Sequence, residues 1–239
     1  MTQFNPNHTL PPILDIDSSQ FFQDVSYNGK NLNTQERLEF IDMVDQDVAE
    51  LSSGLPMLYA EIQRLENLND DYHNTCRIVY SVYLFSIITM CDCSIAGKCF
   101  IQADSDYEKR YMRGKMKVIL NEGFKKLYGY ADKNKKNSEW GRLSDIMQFF
   151  PSIINSQYQQ LTSHLEKLSK TSYWWKDERN YETHIDAINL YAYRQEPINE
   201  SKEMMESIYL INSLRAVNHF ITNIHTCITN NAVLNYQKR

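Results

Sequence analysis

An arginine, an asparagine directly after it and a histidine four residues further on stand together as Arg179-Asn180-x-x-x-His184, inside the segment WWKDERNYETHI at 174–185. These residue types suit cleavage of an RNA chain without a metal. Histidine titrates near neutral pH, so it can take the proton of a 2′-hydroxyl or protonate the leaving oxygen. Arginine sets a permanent cation with a two-pronged donor geometry against charge developing on phosphorus, which lysine cannot match. Asn180 can orient the imidazole or a phosphate oxygen. An Arg/His pair at four to six intervening residues arises about 0.75 times by chance in a chain of this composition, and requiring Asn, Asp or His after the arginine lowers that to about 0.1.

This motif resembles the signature of the HEPN superfamily: arginine, four to six residues, then histidine, often with Asn, Asp or His after the arginine. The resemblance extends to the motif's late position, ahead of a long final helix, and to a helical core from about 72 to 231. It implies an α-helical bundle acting as a metal-independent ribonuclease of the toxin or phage-defence type, with RNA as substrate and no cofactor. Arg179 and His184 would be the catalytic pair and Asn180 the orienting residue. It also implies a homodimer that gathers the site from two protomers, and a protein partner such as an antitoxin. Many members of the family lack activity, so the alternative is a non-catalytic HEPN-like module that binds a nucleotide, an RNA or a protein. Helix geometry bears on the choice. Residues five apart on a regular helix are rotated by about 140° and separated by about 7.5 Å, so Arg179 and His184 would not share a face of one continuous helix. A second protomer or a helix start near Arg179 removes the conflict.

The residues also permit a plainer reading. His184, Ile188 and Tyr191 share one helical face, as a half-buried, hydrogen-bonded histidine would. Arg179 follows Asp177 and Glu178 and can serve as a surface ion-pair partner.

A second feature is electrostatic. Residues 105–136 hold ten cations against four carboxylates, a net +6, which leaves −11 for the rest of a chain whose net charge is −5. Lys109, Arg110, Arg113 and Lys117 lead this stretch, with Tyr107, Tyr111, Tyr128 and Tyr130 interleaved. Cations and aromatics in this mixture suit phosphate contact and base stacking by RNA, so these four are the candidate RNA-binding residues. A solvated charged face is the plainer reading of the same pattern.

Several other chemistries lack their motifs. Neither phosphate-cradling glycine pattern occurs, nor H-E-x-x-H, nor Glu-x-x-His, nor a G-x-S-x-G elbow. Cys91, Cys93 and Cys99 invite a metal reading, but residues two apart on a helix point about 200° apart. The five cysteines (with Cys76 and Cys227) include no C-x-x-C and read as buried, reduced thiols, so no metal site is expected.

The elements that must position these residues are helices. Of 239 residues only 7 are Gly and 6 are Pro, with no proline between Pro56 and Pro151, too little turn punctuation for a β or α/β protein of this size. The expectation is an all-α bundle with long central helices at 31–239, preceded by an irregular arm at 1–30 that carries Pro6, Pro11 and Pro12. Asn33 with Glu36 predicts a capping box opening a helix with the stripe Leu38, Ile41, Val44, Val48 and Leu51. A second helix carries Leu58, Ile62 and Leu65; a third, 72–103, is apolar on most sides. A cationic helix covers 105–127, a polar loop 128–139 and a short helix 140–150. Pro151 is expected at the first position of the next helix, with Ile154, Tyr158, Leu161, Leu165 and Leu168. The last helix carries Leu210, Leu214, Val217, Ile221, Ile224 and Ile228. The longest apolar run, 78–91, is too short to span a bilayer, and the N-terminus shows no secretory pattern, so a soluble cytoplasmic protein without membrane attachment is expected.

Overall fold

The computed structural model describes residues 33–129, 135–171, 180, 182–183 and 187–229. Among these, every regular element is a helix: α1 (Thr34–Ser53), α2 (Leu55–Glu66), α3 (Asp71–Gln102), α4 (Asp106–Leu127), α5 (Glu139–Ser144), a 3-10 turn (Met147–Phe149), α6 (Ser152–Thr171), α7 (Ala187–Gln195) and α8 (Glu200–Thr229). The expected arm at 1–30 lies outside the described residues.

Local chemistry sets the helix starts. Asn33 caps α1 reciprocally: its side chain accepts from the Glu36 amide at 3.0 Å, and the Glu36 carboxylate accepts from the Asn33 amide at 2.7 Å. Asp70 and Ser105 cap α3 and α4 through the amides of His73 and Glu108. Each such cap contributes about 1 kcal/mol. Pro151 falls at the cap rather than the first turn of α6, its carbonyl accepting from Ile154 and Asn155. The helix expected at 140–150 is divided, α5 ending at Ser144 before the 3-10 turn.

α3 is the axis of the bundle, packed against α1, α2, α4 and α8. By length and composition it could cross a membrane, with a mean hydropathy of 1.7 over its most apolar window, yet half of that window is buried inside the protein. Val79, Val82, Cys93 and Phe100 on it are fully enclosed. The α6 and α8 stripes are buried at every position named from the sequence. Burying one such Leu or Ile side chain contributes about 2 kcal/mol, against a few tenths from helix propensity, so packing along this seam is what holds α8. Trp140 of α5 stacks on Tyr158 of α6 at 4.8 Å and 10°, with Phe220 of α8 at 5.6 Å.

α1 departs from its expected stripe. Val44 is buried, but Leu38 is 53% exposed and Ile41 only half-buried. The helix lies at the periphery and meets the bundle along a narrow line.

Candidate functional site

Arg179 and His184 lie outside the described residues. Asn180 is helical and half-buried, and Glu182, two residues before His184, is anchored in detail. Its side chain is 2% exposed and paired with Arg194 of α7, which is 14% exposed. Arg194 Nη2 donates to Glu182 Oε2 at 3.1 Å, while Nε and Nη2 reach Oε1 at 3.3 Å. The same guanidinium lies 5.7 Å from the Tyr107 ring centre and 5.5 Å from that of Tyr111, and donates to the Tyr107 hydroxyl at 3.1 Å. Burial works against its charge, but the bonds and charge of Glu182 outweigh burial and hold Arg194 above the usual arginine range.

Gly114 makes this approach feasible. A Cβ on Gly114 would stand 2.2 Å from Glu182 Oε1 and 2.3 Å from its carboxyl carbon, well inside van der Waals contact. A side chain at position 114 would have to displace the Glu182 side chain from its present seat on α4. Glu182 therefore packs against α4 with its charge matched by Arg194.

The face expected to bury His184 behaves differently where it is described. Ile188 and Tyr191 are 81% and 68% exposed. Two apolar residues at this spacing thus present themselves outward from α7.

The four candidate RNA-binding residues divide. Lys109, Arg113 and Lys117 recur every four residues and line one face of α4, and that face meets α8 and α7 rather than solvent. Lys109 is 15% exposed and pairs with Glu200, both of whose oxygens also accept from the single Nη2 of Arg37 of α1 at 2.8 Å. Lys117 is fully buried between Glu203 and Glu206. Its Nζ lies 2.8 Å from Glu203 Oε2, close enough for an ion pair though off the hydrogen-bond direction. Arg113, 2% exposed, lies 4.3 Å over the Tyr193 ring and donates to the Tyr193 carbonyl at 2.6 Å. Arg110 is half-buried. Arg113 and Lys117 are therefore buried and Lys109 is half-buried; Lys109 and Lys117 face a glutamate every third residue at the start of α8, and Arg113 faces Tyr193 of α7. That acidic series, Glu200-x-x-Glu203-x-x-Glu206, was the sequence signal for the arrangement.

Among the described residues no group of three or more His, Cys, Asp or Glu could hold a metal ion. Cys91 and Cys93 are buried and Cys99 is half-buried. Burial, with the Asp92 charge beside it, pushes the Cys93 thiol up to about 12 and leaves it unreactive.

No family model, no curated protein and no solved structure matches the chain.

Proposed function

We propose that this chain is a HEPN-like, metal-independent ribonuclease acting as a homodimer, with Arg179, Asn180 and His184 as its catalytic residues. The 2′-hydroxyl attacks the adjacent phosphorus, the P–O5′ bond breaks, and the products are a 2′,3′-cyclic phosphate and a 5′-hydroxyl. His184 takes the attacking proton or supplies the departing one. Arg179 faces the charge that grows on the phosphoryl oxygens, and Asn180 orients. Contribution of Arg179 by one protomer and His184 by the other would remove the separation of about 140° that one continuous helix would impose on these positions.

The observation that carries this reading is the pairing of Glu182 with Arg194 beside the motif. An unpaired carboxylate two residues from the histidine would repel a phosphodiester. Here that charge is turned into α4 and compensated, so it does not oppose substrate. In this reading the chain is a toxin or defence effector restrained by a protein partner. Induced expression of the wild type in a bacterial host is expected to arrest growth, and the His184→Ala form to be tolerated. Equal tolerance of both, with both proteins accumulating as folded species, would contradict it.

A second reading, a non-catalytic HEPN-like module, is favoured by one observation. Lys109, Arg113 and Lys117 are committed inside the protein, which removes much of the basic face expected to receive RNA. This reading predicts binding without turnover.

A further inference from the structure

The structure sorts the net +6 stretch into two parts. In its first half Lys109 and Lys117 pair with α8 and Arg113 with α7. In its second half, among the described residues, Lys126, Lys135 and Lys136 gather at the opposite end of α4 with Arg142 of α5 and Lys170 of α6. There the cations outnumber the carboxylates that hold them. Glu139 is shared by Lys126 at 3.3 Å and Arg142 at 2.8 Å. Glu166 is shared by Lys135 at 2.5 Å and Lys170 at 3.6 Å. Each carboxylate balances one cation of its pair, so among the described residues five cations against Glu139, Glu166 and Asp145 leave a surplus of two. Lys126 and Lys170 are 57% and 74% exposed, and Lys136 is exposed.

This surplus is held in place. The 135–136 turn lies directly on α5, where a Cβ on Gly141 would stand 2.2 Å from the Lys135 carbonyl oxygen. Ser138 secures the turn from both sides, donating through its hydroxyl to that carbonyl at 2.6 Å and accepting from the Gly141 amide at 3.0 Å. Beside it opens a cleft of about 230 Å³ lined by Lys135, Lys136, Ser144, Asp145, Tyr158 and Thr162, among others. That volume is below the roughly 300 Å³ at which pockets begin to enclose a small molecule. A polymer lying across an open, cationic surface suits it better.

We infer that this end of the molecule, centred on Lys126, Lys135 and Lys136, is where the phosphate backbone of single-stranded RNA docks. The inference rests on the RNA reading above but not on catalysis. Trp140 and Tyr158 spend their faces on each other and are buried, so they offer no platform for bases. Contact is then with phosphates, and binding tolerates any sequence.

The test is binding of the full chain to a labelled single-stranded RNA in EDTA at several salt concentrations. The proteins compared are wild type, His184→Ala, and the triple variant Lys126→Gln, Lys135→Gln, Lys136→Gln. A double variant, Lys126→Gln with Lys136→Gln, keeps the Lys135–Glu166 contact in case the triple variant folds poorly. A charge-matched control carries Arg64→Gln, Arg77→Gln and Arg215→Gln. Each lost phosphate contact flattens the salt dependence by about 0.7 log units per log unit of salt, so the triple variant is expected to lose up to about 2 in slope and about tenfold or more in affinity. The charge-matched control should bind like wild type. Unchanged binding by both lysine variants would overturn the inference, as would an equal loss in the control or no RNA binding by wild type. Binding that depends on the lysines, with no cleavage by wild type, would sustain the docking surface and remove the ribonuclease reading instead.

Discussion

His164, half-buried on α6, places its Nε2 3.1 Å from Ser213 Oγ of α8, and burial, aided by the Lys167 charge, holds its pKa below the ordinary 6.5. The unfolded chain takes up this proton near pH 6.5 while the native protein resists it, so the unfolded state binds more protons as pH falls through that value. Stability is then full above about pH 6.5 and declines below it until the depressed native pKa is reached. Replacing His164 with Gln is expected to remove that decline, seen as a smaller drop in Tm between pH 7.5 and 5.5 than wild type shows. A drop of equal size in both would contradict the assignment. The same residue-scale logic separates what the sequence could and could not disclose. Asn33 and Glu36 announce their reciprocal cap because both partners lie within one turn. Gly114 announces nothing, because its reason is a carboxylate 68 positions away, which only the folded chain brings to within 2.2 Å of where a Cβ would stand.

At the scale of elements, α6 and α8 were legible because their apolar residues step by three and four and every one of them is buried. α1 was misread in part: a stripe can be periodic and still lie at the edge, as the exposure of Leu38 shows. The cationic face of α4 was legible as a helix but not as an interface. The glutamates that Lys117 and Lys109 meet on α8 lie 89 and 91 residues away, and Arg113 meets Tyr193 of α7 at 80; no local rule pairs residues at such distances. The arrangement has a direct consequence for stability. Lys117→Met would leave Glu203 and Glu206 buried without their shared cation, a defect of about 3 kcal/mol or more at pH 7. Urea denaturation of both proteins at pH 7 measures this. A deficit under about 1 kcal/mol would mean that the ion pairs are not what joins α4 to α8.

For the molecule as a whole, the helical class was legible from scarce glycine and proline and from periodicity, whereas the distribution of its charge was not. The uneven charge of the sequence becomes an internal seam along α4 and α8 and an external surplus beyond it. Glu182 and its partner Arg194 pack against α4 beside the first, and we propose the second as a docking surface for RNA. The central claim we propose is that Arg179 and His184 cleave RNA without a metal. Its most direct test is incubation of purified protein with a mixed RNA substrate in excess EDTA, beside the His184→Ala variant. The prediction is cleavage by wild type alone, leaving 2′,3′-cyclic phosphate ends. No cleavage by a folded, dimeric wild type, or equal cleavage by both proteins, would contradict the claim.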